Sequence, residues 1–163
     1  MEIEIREYMP SDCQKIMNLF YDTVHTVNSM DYAMDQLDAW APKNINEEQW
    51  NESLLEHFTA VALIDGIIAG FGDIDKTGYI DRLFTGSEYQ GIGVGSAVCD
   101  YLESLVNTDK YTAFVSVTAR PFFEKRGYMV VRENTAIRSG VALKNFLMEK
   151  TQNIQSRCVL TVY

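Results

Sequence analysis

Between Tyr89 and Val98 the chain reads "YQGIGVGSAV", with glycines at 91, 93 and 95. A strand-like segment precedes this stretch and an apolar helical repeat follows it. Glycine lets a backbone take positive φ and lets a ligand come close. A helix that starts there offers unpaired N–H groups and a dipole, and both attract anions. Two familiar loops built on that principle fail on spacing. The phosphate loop of nucleoside triphosphatases needs a lysine after its glycines, and none follows here. The dinucleotide fingerprint needs glycine where Ser96 stands and a strand that opens the domain, whereas three strand-like segments come first. The remaining readings are a pyrophosphate cradle, with Gln90 adding a hydrogen bond, or glycines that only turn the chain.

The neighbouring periodicities set the frame around that loop. "IEIREY" alternates apolar and charged residues and predicts a strand over 2–7. Pro10-Ser11-Asp12 offers helix-start chemistry, and Ile16, Leu19, Phe20 and Val24 recur at helical spacing. "DYAMDQLDAWA" predicts a second helix stopped before Pro42. A third, with an acidic first turn, is expected over 46–57. "TAVALID" and "IIAGFGDID" flank an Asp65-Gly66 turn, and "GYIDRLFT" makes a third consecutive strand. After the glycines, Val94, Ala97, Val98, Tyr101, Leu102, Leu105 and Val106 form an amphipathic stripe to about residue 107. "YTAFVSVT" is a strand, and "ARPFFEKRG" a short helix with Pro121 in its first turn and Gly127 past its end. "YMVVREN" and "VALKNFLMEK" are the closing strands.

The order β-α-α-α-β-β-β-α-β-α-β-β predicts one α/β (α+β) domain over 2–149. Its central sheet is mixed and mostly antiparallel, flanked by helices. The crossover helix after the glycines calls for one parallel pair within it. Residues 150–163 fall outside the pattern, and "RCVLTVY" reads as an extra strand, a homodimer contact or a frayed end.

Charge excludes some partners. With 14 basic and 23 acidic residues the formal charge is −9, so no nucleic-acid or anionic-membrane footprint is expected, while a cationic amine is tolerated. No leader pattern opens the chain, and no apolar run approaches the ~20 residues of a membrane span. Cys13, Cys99 and Cys158 are scattered without metal-ligand spacing and read as reduced thiols of a cytoplasmic protein. His25 and His57 read as surface or boundary residues, and no metal is expected.

Two further motifs give the loop its context. Gln90-Gly91-Ile92-Gly93-Val94-Gly95 matches the pattern Q/R-x-x-G-x-G/A. "YIDRLFTGSEYQ" before it and "ARPFFEKRGY" after it also match, in the right order. Together they resemble the GNAT superfamily of acyl-CoA N-acyltransferases, over residues 2 to about 149, and a bacterial subgroup of acetyltransferases within it. The resemblance implies a GNAT fold whose fourth and fifth strands splay apart around acetyl-CoA. The backbone of Leu83, Phe84 and Thr85 would pair with the pantetheine arm. Gln90, Gly91, Ile92, Gly93, Val94, Gly95 and Ser96 would hold the pyrophosphate, and Ala119, Phe122 and Phe123 would line the far wall.

The implied reaction is direct transfer of the acetyl group to a primary amine, with a small molecule as the expected acceptor. A protein N-terminus or lysine side chain ranks below it. Asp81 is the candidate base, two residues before Leu83 and so expected on the same strand face. Its alternative role is a salt bridge to Arg82 or Arg126. Many relatives place a proton-donating tyrosine where this chain has Phe123, so Tyr128, Tyr79 or a water would act as the acid. That departure keeps a second class open, an acyl-CoA-binding sensor with little turnover. The acceptor would meet the segment before "TAVALID", where Tyr32, Gln36, Trp40 and Trp50 stand beside Asp31, Asp35 and Asp38. Aromatic faces with carboxylates bind amines. The alternative there is a helix packing its rings inward and its acids outward.

Overall fold

The computed structural model describes residues 1–152. In chain order these form β1 (Glu4–Glu7), α1 (Cys13–Thr26), α2 (Met34–Trp40), α3 (Glu47–Glu56), β2 (Phe58–Ile64), β3 (Ile67–Ile74) and β4 (Tyr79–Thr85). There follow α4 (Val94–Leu105), β5 (Lys110–Ser116), α5 (Arg120–Lys125), β6 (Met129–Arg138) and β7 (Val141–Thr151). The predicted order holds, with frayed ends trimmed. β1 begins at Glu4 rather than residue 2, and β7 takes in the first two residues of the predicted tail. The suggested extra strand or dimer contact around "RCVLTVY" lies outside the described residues.

The strands make one sheet in the order β1-β2-β3-β4-β5-β7-β6. Every neighbouring pair is antiparallel except β4 and β5. Those two pair in parallel only at Tyr79↔Thr112 and Ile80↔Ala113, and beyond that point the ladder ends and the strands part. The parallel pair follows from the α4 crossover, since a short hairpin cannot join parallel strands. The gap begins where the pairing stops.

Each face of the sheet is covered. On one side Val94, Val98 and Leu102 of α4 bury against Ala60, Ala62, Ile74, Ile80 and Ala113. Glycine in β3 allows that approach, because a Cβ on Gly70 would stand 2.8 Å from Val94 Cγ1. On the other side Ile16, Phe20 and Val24 of α1, with Leu37 and Leu54, pack on Val61, Leu63 and Phe71. Full burial of each such side chain contributes roughly 1.5–3 kcal/mol. Cys13 and Cys99 are buried free thiols in these layers. Among the described residues, no helix is long and apolar enough to cross a membrane.

Candidate active site

One extra residue in β4 shapes the site. The β3–β4 register runs Gly72↔Leu83 and Asp73↔Arg82, then jumps to Ile74↔Ile80. Asp81 is therefore the unpaired residue of a β-bulge, which bends a strand and re-aims its side chains. Counting by twos placed Asp81 on the face of Leu83; the bulge overturns this. Leu83 packs on the α4 side, whereas Asp81 stands with Asp73 and Arg82 on the opposite side. Its carboxylate lies within 4.8 Å of an oxygen of Asp73 and a ring nitrogen of His57.

Behind Asp81 is a closed ion-pair cluster. Asp73 is fully buried. Arg82 donates to it from Nε, at 3.1 Å to each carboxylate oxygen, and from Nη2 at 2.7 Å to Oδ2. Nη1 of Arg82 reaches Ser53 Oγ at 3.1 Å, and the guanidinium lies 5.1 Å from the Trp50 ring centroid. His57 Nδ1 is 2.8 Å from Asp73 Oδ2, and this bond raises the imidazole above its ordinary 6.5 against the effect of burial. Among the described residues the Asp81 side chain makes no hydrogen bond, and its nearest cation is Arg82 Nη2 at 3.7 Å. Desolvation, then the charge of Asp73, push its carboxyl above the ordinary 3.8. Because a guanidinium already fills the cation position, His57, Asp73 and Asp81 form an ion-pair cluster rather than a metal-ligand set. The alternative partner Arg126 is elsewhere, on Asp100 and Glu103 of α4.

A cavity of about 640 Å³ occupies the β4–β5 gap. It joins Asp81, Leu83, Phe84 and Thr85 to the glycine loop. Gly91 and Gly93 are left-handed, at φ 75° and 97°, a region favouring glycine. Gly93 caps α4 without a side-chain acceptor, and the first helical bond runs from Ala97 N to Gly93 O. The N–H groups of Val94, Gly95 and Ser96 are thus left without helical acceptors. A Cβ on Gly91 would meet nothing within 4 Å. Open space over unpaired donors suits a phosphate group.

Not every loop residue takes part. Ile92 is exposed and does not line the cavity. Gln90 lines it, yet its Nε2 already donates to Thr85 O at 2.7 Å and ties the loop to β4. At Gly95 a Cβ would stand 3.2 Å from Phe122 Cζ, so this glycine serves the contact between α4 and α5. Ala119, Phe122 and Phe123 line the cavity, with Phe123 buried in the core.

Three expected residues have other duties. Tyr128 is 2% exposed, does not line the cavity, and donates from its hydroxyl to Glu103 Oε1 at 2.9 Å. Burial pushes this phenol far up, and because its hydroxyl is given to Glu103 away from the cavity it is no acid for the site. Gln36 bonds Ala142 O and the Ala33 N–H, and it too lies off the cavity. Tyr32 lines the cavity with its ring only. Its hydroxyl donates to Lys144 O at 2.6 Å and accepts from Val117 N at 2.9 Å, tying α2's approach to β7 and to the residue after β5. Trp40 lines the cavity beside Phe84, with ring centroids 6.1 Å apart.

Sequence reasoning missed His57, Asp73, Asn28 and Arg138. Asp73 had a signal, a carboxylate inside the apolar strand "IIAGFGDI" facing an arginine on the next strand. Asn28 and Arg138 had none, because only the tertiary fold brings them to the cavity.

Similarity to known proteins agrees with this geometry. A family model described as an acetyltransferase (GNAT) domain matches residues 28–151. The uncharacterized N-acetyltransferase YafP of Escherichia coli strain K12 is 36% identical over 148 residues, covering 90% of this chain and 94% of that protein. A crystal structure of a GCN5-related N-acetyltransferase from Rhodopseudomonas palustris matches with TM-score 0.90 and 29% identity, over 93% of this chain and 97% of that one. The PaiA N-acetyltransferase of Thermoplasma acidophilum, solved with coenzyme A, shares the fold at TM-score 0.74 and 18% identity, over 93% and 100% of the chains. By the family match over most of its length and the identity to YafP, the chain belongs to the GNAT acetyltransferase family and is an acyltransferase.

Proposed function

We propose that the protein moves the acetyl group of acetyl-CoA onto the primary amine of a small molecule by direct attack. The observation that carries this is one cavity that joins the open helix N-terminus at Gly93 to the carboxylate of Asp81. The N–H groups from Gly91 to Ser96, those of Val94, Gly95 and Ser96 free of helical acceptors, would hold the pyrophosphate. The parted edge of β4 at Leu83, Phe84 and Thr85 would pair with the pantetheine arm as an added strand does. Ala119, Phe122 and Phe123 form its apolar wall. Acetyl-CoA supplies the acetyl group as a thioester.

The chain's own groups supply the rest. Asp81 accepts the proton of the incoming ammonium, and its raised pKa brings it closer to that task than an ordinary carboxylate. The Asp73–Arg82–His57 cluster holds the bulge that aims it. Tyr79 lines the cavity, and burial raises its phenol to about 12. It therefore stays protonated at neutral pH and replaces the missing tyrosine at Phe123 as proton donor.

Thermal denaturation with acetyl-CoA tests the first half: a ligand selective for the native state raises Tm with its concentration. CoA thiol release with an amine panel tests the second. No Tm shift sinks the cofactor assignment, and a shift without turnover of any amine sinks the transfer reading in favour of a sensor.

A further inference from the structure

We propose that the acceptor carries a carboxylate as well as its amine, and that Arg138 binds the carboxylate. This rests on the cavity being the acceptor site of acetyl transfer. The formal charge is −9, and most arginines are engaged by side chains. Arg6 pairs with Asp12, Arg82 with Asp73, Arg120 with Glu124, and Arg126 with Asp100 and Glu103. Arg132 donates to Asn134 and lies over Phe114. Among the described arginines only Arg138 has no hydrogen bond or ion pair to another side chain. Its single bond, 3.4 Å to the carbonyl of the adjacent Ile137, is long for a hydrogen bond.

Arg138 lines the same cavity as Asp81. Ala136, two residues earlier on β6, lines it too. Lys144, the other cation on that wall, is held by Glu133 at 2.9 Å, and Arg82 is saturated by Asp73 and Ser53. Among the described residues the cavity therefore presents one carboxylate approached only by Arg82 at 3.7 Å, Asp81, and one guanidinium without a side-chain partner, Arg138. Their charges act on each other without forming an ion pair. Such a pair complements an ammonium and a carboxylate on one molecule. Arginine suits the second task because its planar fork grips a carboxylate at two points.

Phe20, Trp40, Trp50 and Phe84 line the same cavity, which calls for an apolar side chain on the acceptor. Asn28 adds a third polar point. It is 5% exposed, makes no side-chain hydrogen bond among the described residues, and lines the cavity. The acceptor class is an amino acid with an apolar or aromatic side chain.

The test compares aromatic and aliphatic L-amino acids with their decarboxylated amines, such as L-phenylalanine against 2-phenylethylamine. CoA release gives kcat/KM for each, and calorimetric titration of L-phenylalanine into the CoA-saturated protein reads binding without turnover. The expected result is a preference for the amino acid of each pair. Arg138→Gln lowers that member's kcat/KM by about 10–100-fold, the scale of one charge-assisted hydrogen bond, and weakens calorimetric binding likewise. The amine's kcat/KM and the KM for acetyl-CoA stay unchanged. Equal losses on both members, a higher KM for acetyl-CoA, or a preference for the bare amine would overturn the proposal. Acetylation of carboxylate-free amines alone refutes it while leaving acetyl transfer standing. If no amine reacts, transfer itself fails, and calorimetry still decides whether Arg138 binds a carboxylate.

Discussion

Arg82 and Asp73 face each other across the β3–β4 ladder and share three hydrogen bonds of 2.7 to 3.1 Å, one residue from the bulge at Asp81. Both sit out of solvent, Asp73 completely. Removing one partner of a buried pair leaves an uncompensated charge, which costs far more than the intact pair contributes. Asp73→Ala is therefore expected to destabilise the fold by about 3–5 kcal/mol. Urea denaturation measures this; a loss under about 1 kcal/mol, the scale of an exposed pair, would show that the cluster is open to water.

The same cluster predicts how stability depends on pH. His57 titrates higher in the folded protein than its ordinary 6.5, through its bond to Asp73. Its contribution is thus complete below 6.5 and is lost as pH rises through the raised folded value. Asp12 has the opposite sign. The bond from Arg6, at 2.8 Å, holds its carboxyl below the ordinary 3.8. That contribution is present above 3.8 and is lost as pH falls through the depressed folded value. Urea midpoints taken across pH should decline on both sides. His57→Asn should flatten only the upper decline, and a decline that persists in this variant removes His57 as its source.

Asp81→Asn keeps the size of the side chain and removes the base. A general base is typically worth 10²–10⁴-fold, so kcat should fall by about that factor while the Tm shift with acetyl-CoA stays. The acid limb of the wild-type kcat–pH profile should lie above the ordinary carboxylate 3.8, given the raised carboxyl. An unchanged profile in the variant would remove Asp81 from the reaction.

Two glycines separate binding from packing. A Cβ on Gly93 would have only Ile3 Cδ1 nearby among the described residues, at 4.0 Å, so for Gly93→Val the position has open space around it. Its left-handed backbone adds strain of order 1–3 kcal/mol, and the new side chain stands over the helix N-terminus. The variant should fold and lose its Tm response to acetyl-CoA. Gly70→Ala instead puts a methyl 2.8 Å from Val94 Cγ1 and 2.9 Å from Phe84 O. Overpacking of that kind costs about 1–3 kcal/mol, so it should lower Tm before any ligand is added. If Gly93→Val still responds normally to acetyl-CoA, the phosphates bind elsewhere.

Periodicity and turn residues revealed the element order, the parallel pair and the glycine loop, because those follow from local pattern. What they could not reveal was the bulge. One unpaired residue reverses the strand faces after it, so Asp81 kept its place in the sequence and changed its neighbours from Leu83 to Asp73 and His57. Hydroxyl partners were equally hidden. Tyr128 and Tyr32 look alike as candidate phenols, yet one bonds Glu103 in the core and the other bridges two strands. Arg138 is 57 positions from Asp81 in number, and only the β6–β7 hairpin brings it to the same cavity.

Tyr32 supports the last prediction. Beyond the two paired residues of β4 and β5 no ladder holds the parted end of β5 from the β4 side. The Tyr32 hydroxyl accepts from Val117 N just past that end and donates to Lys144 O on β7. Tyr32→Phe keeps the ring on the cavity wall and leaves this N–H and this carbonyl unpaired. Each unsatisfied buried group costs about 1–3 kcal/mol, so a loss of stability in that range is expected. If the strap positions the wall, the variant should also raise KM for the acceptor more than for acetyl-CoA. Equal changes in both constants would mean that Tyr32 supports the whole cavity and not its acceptor end.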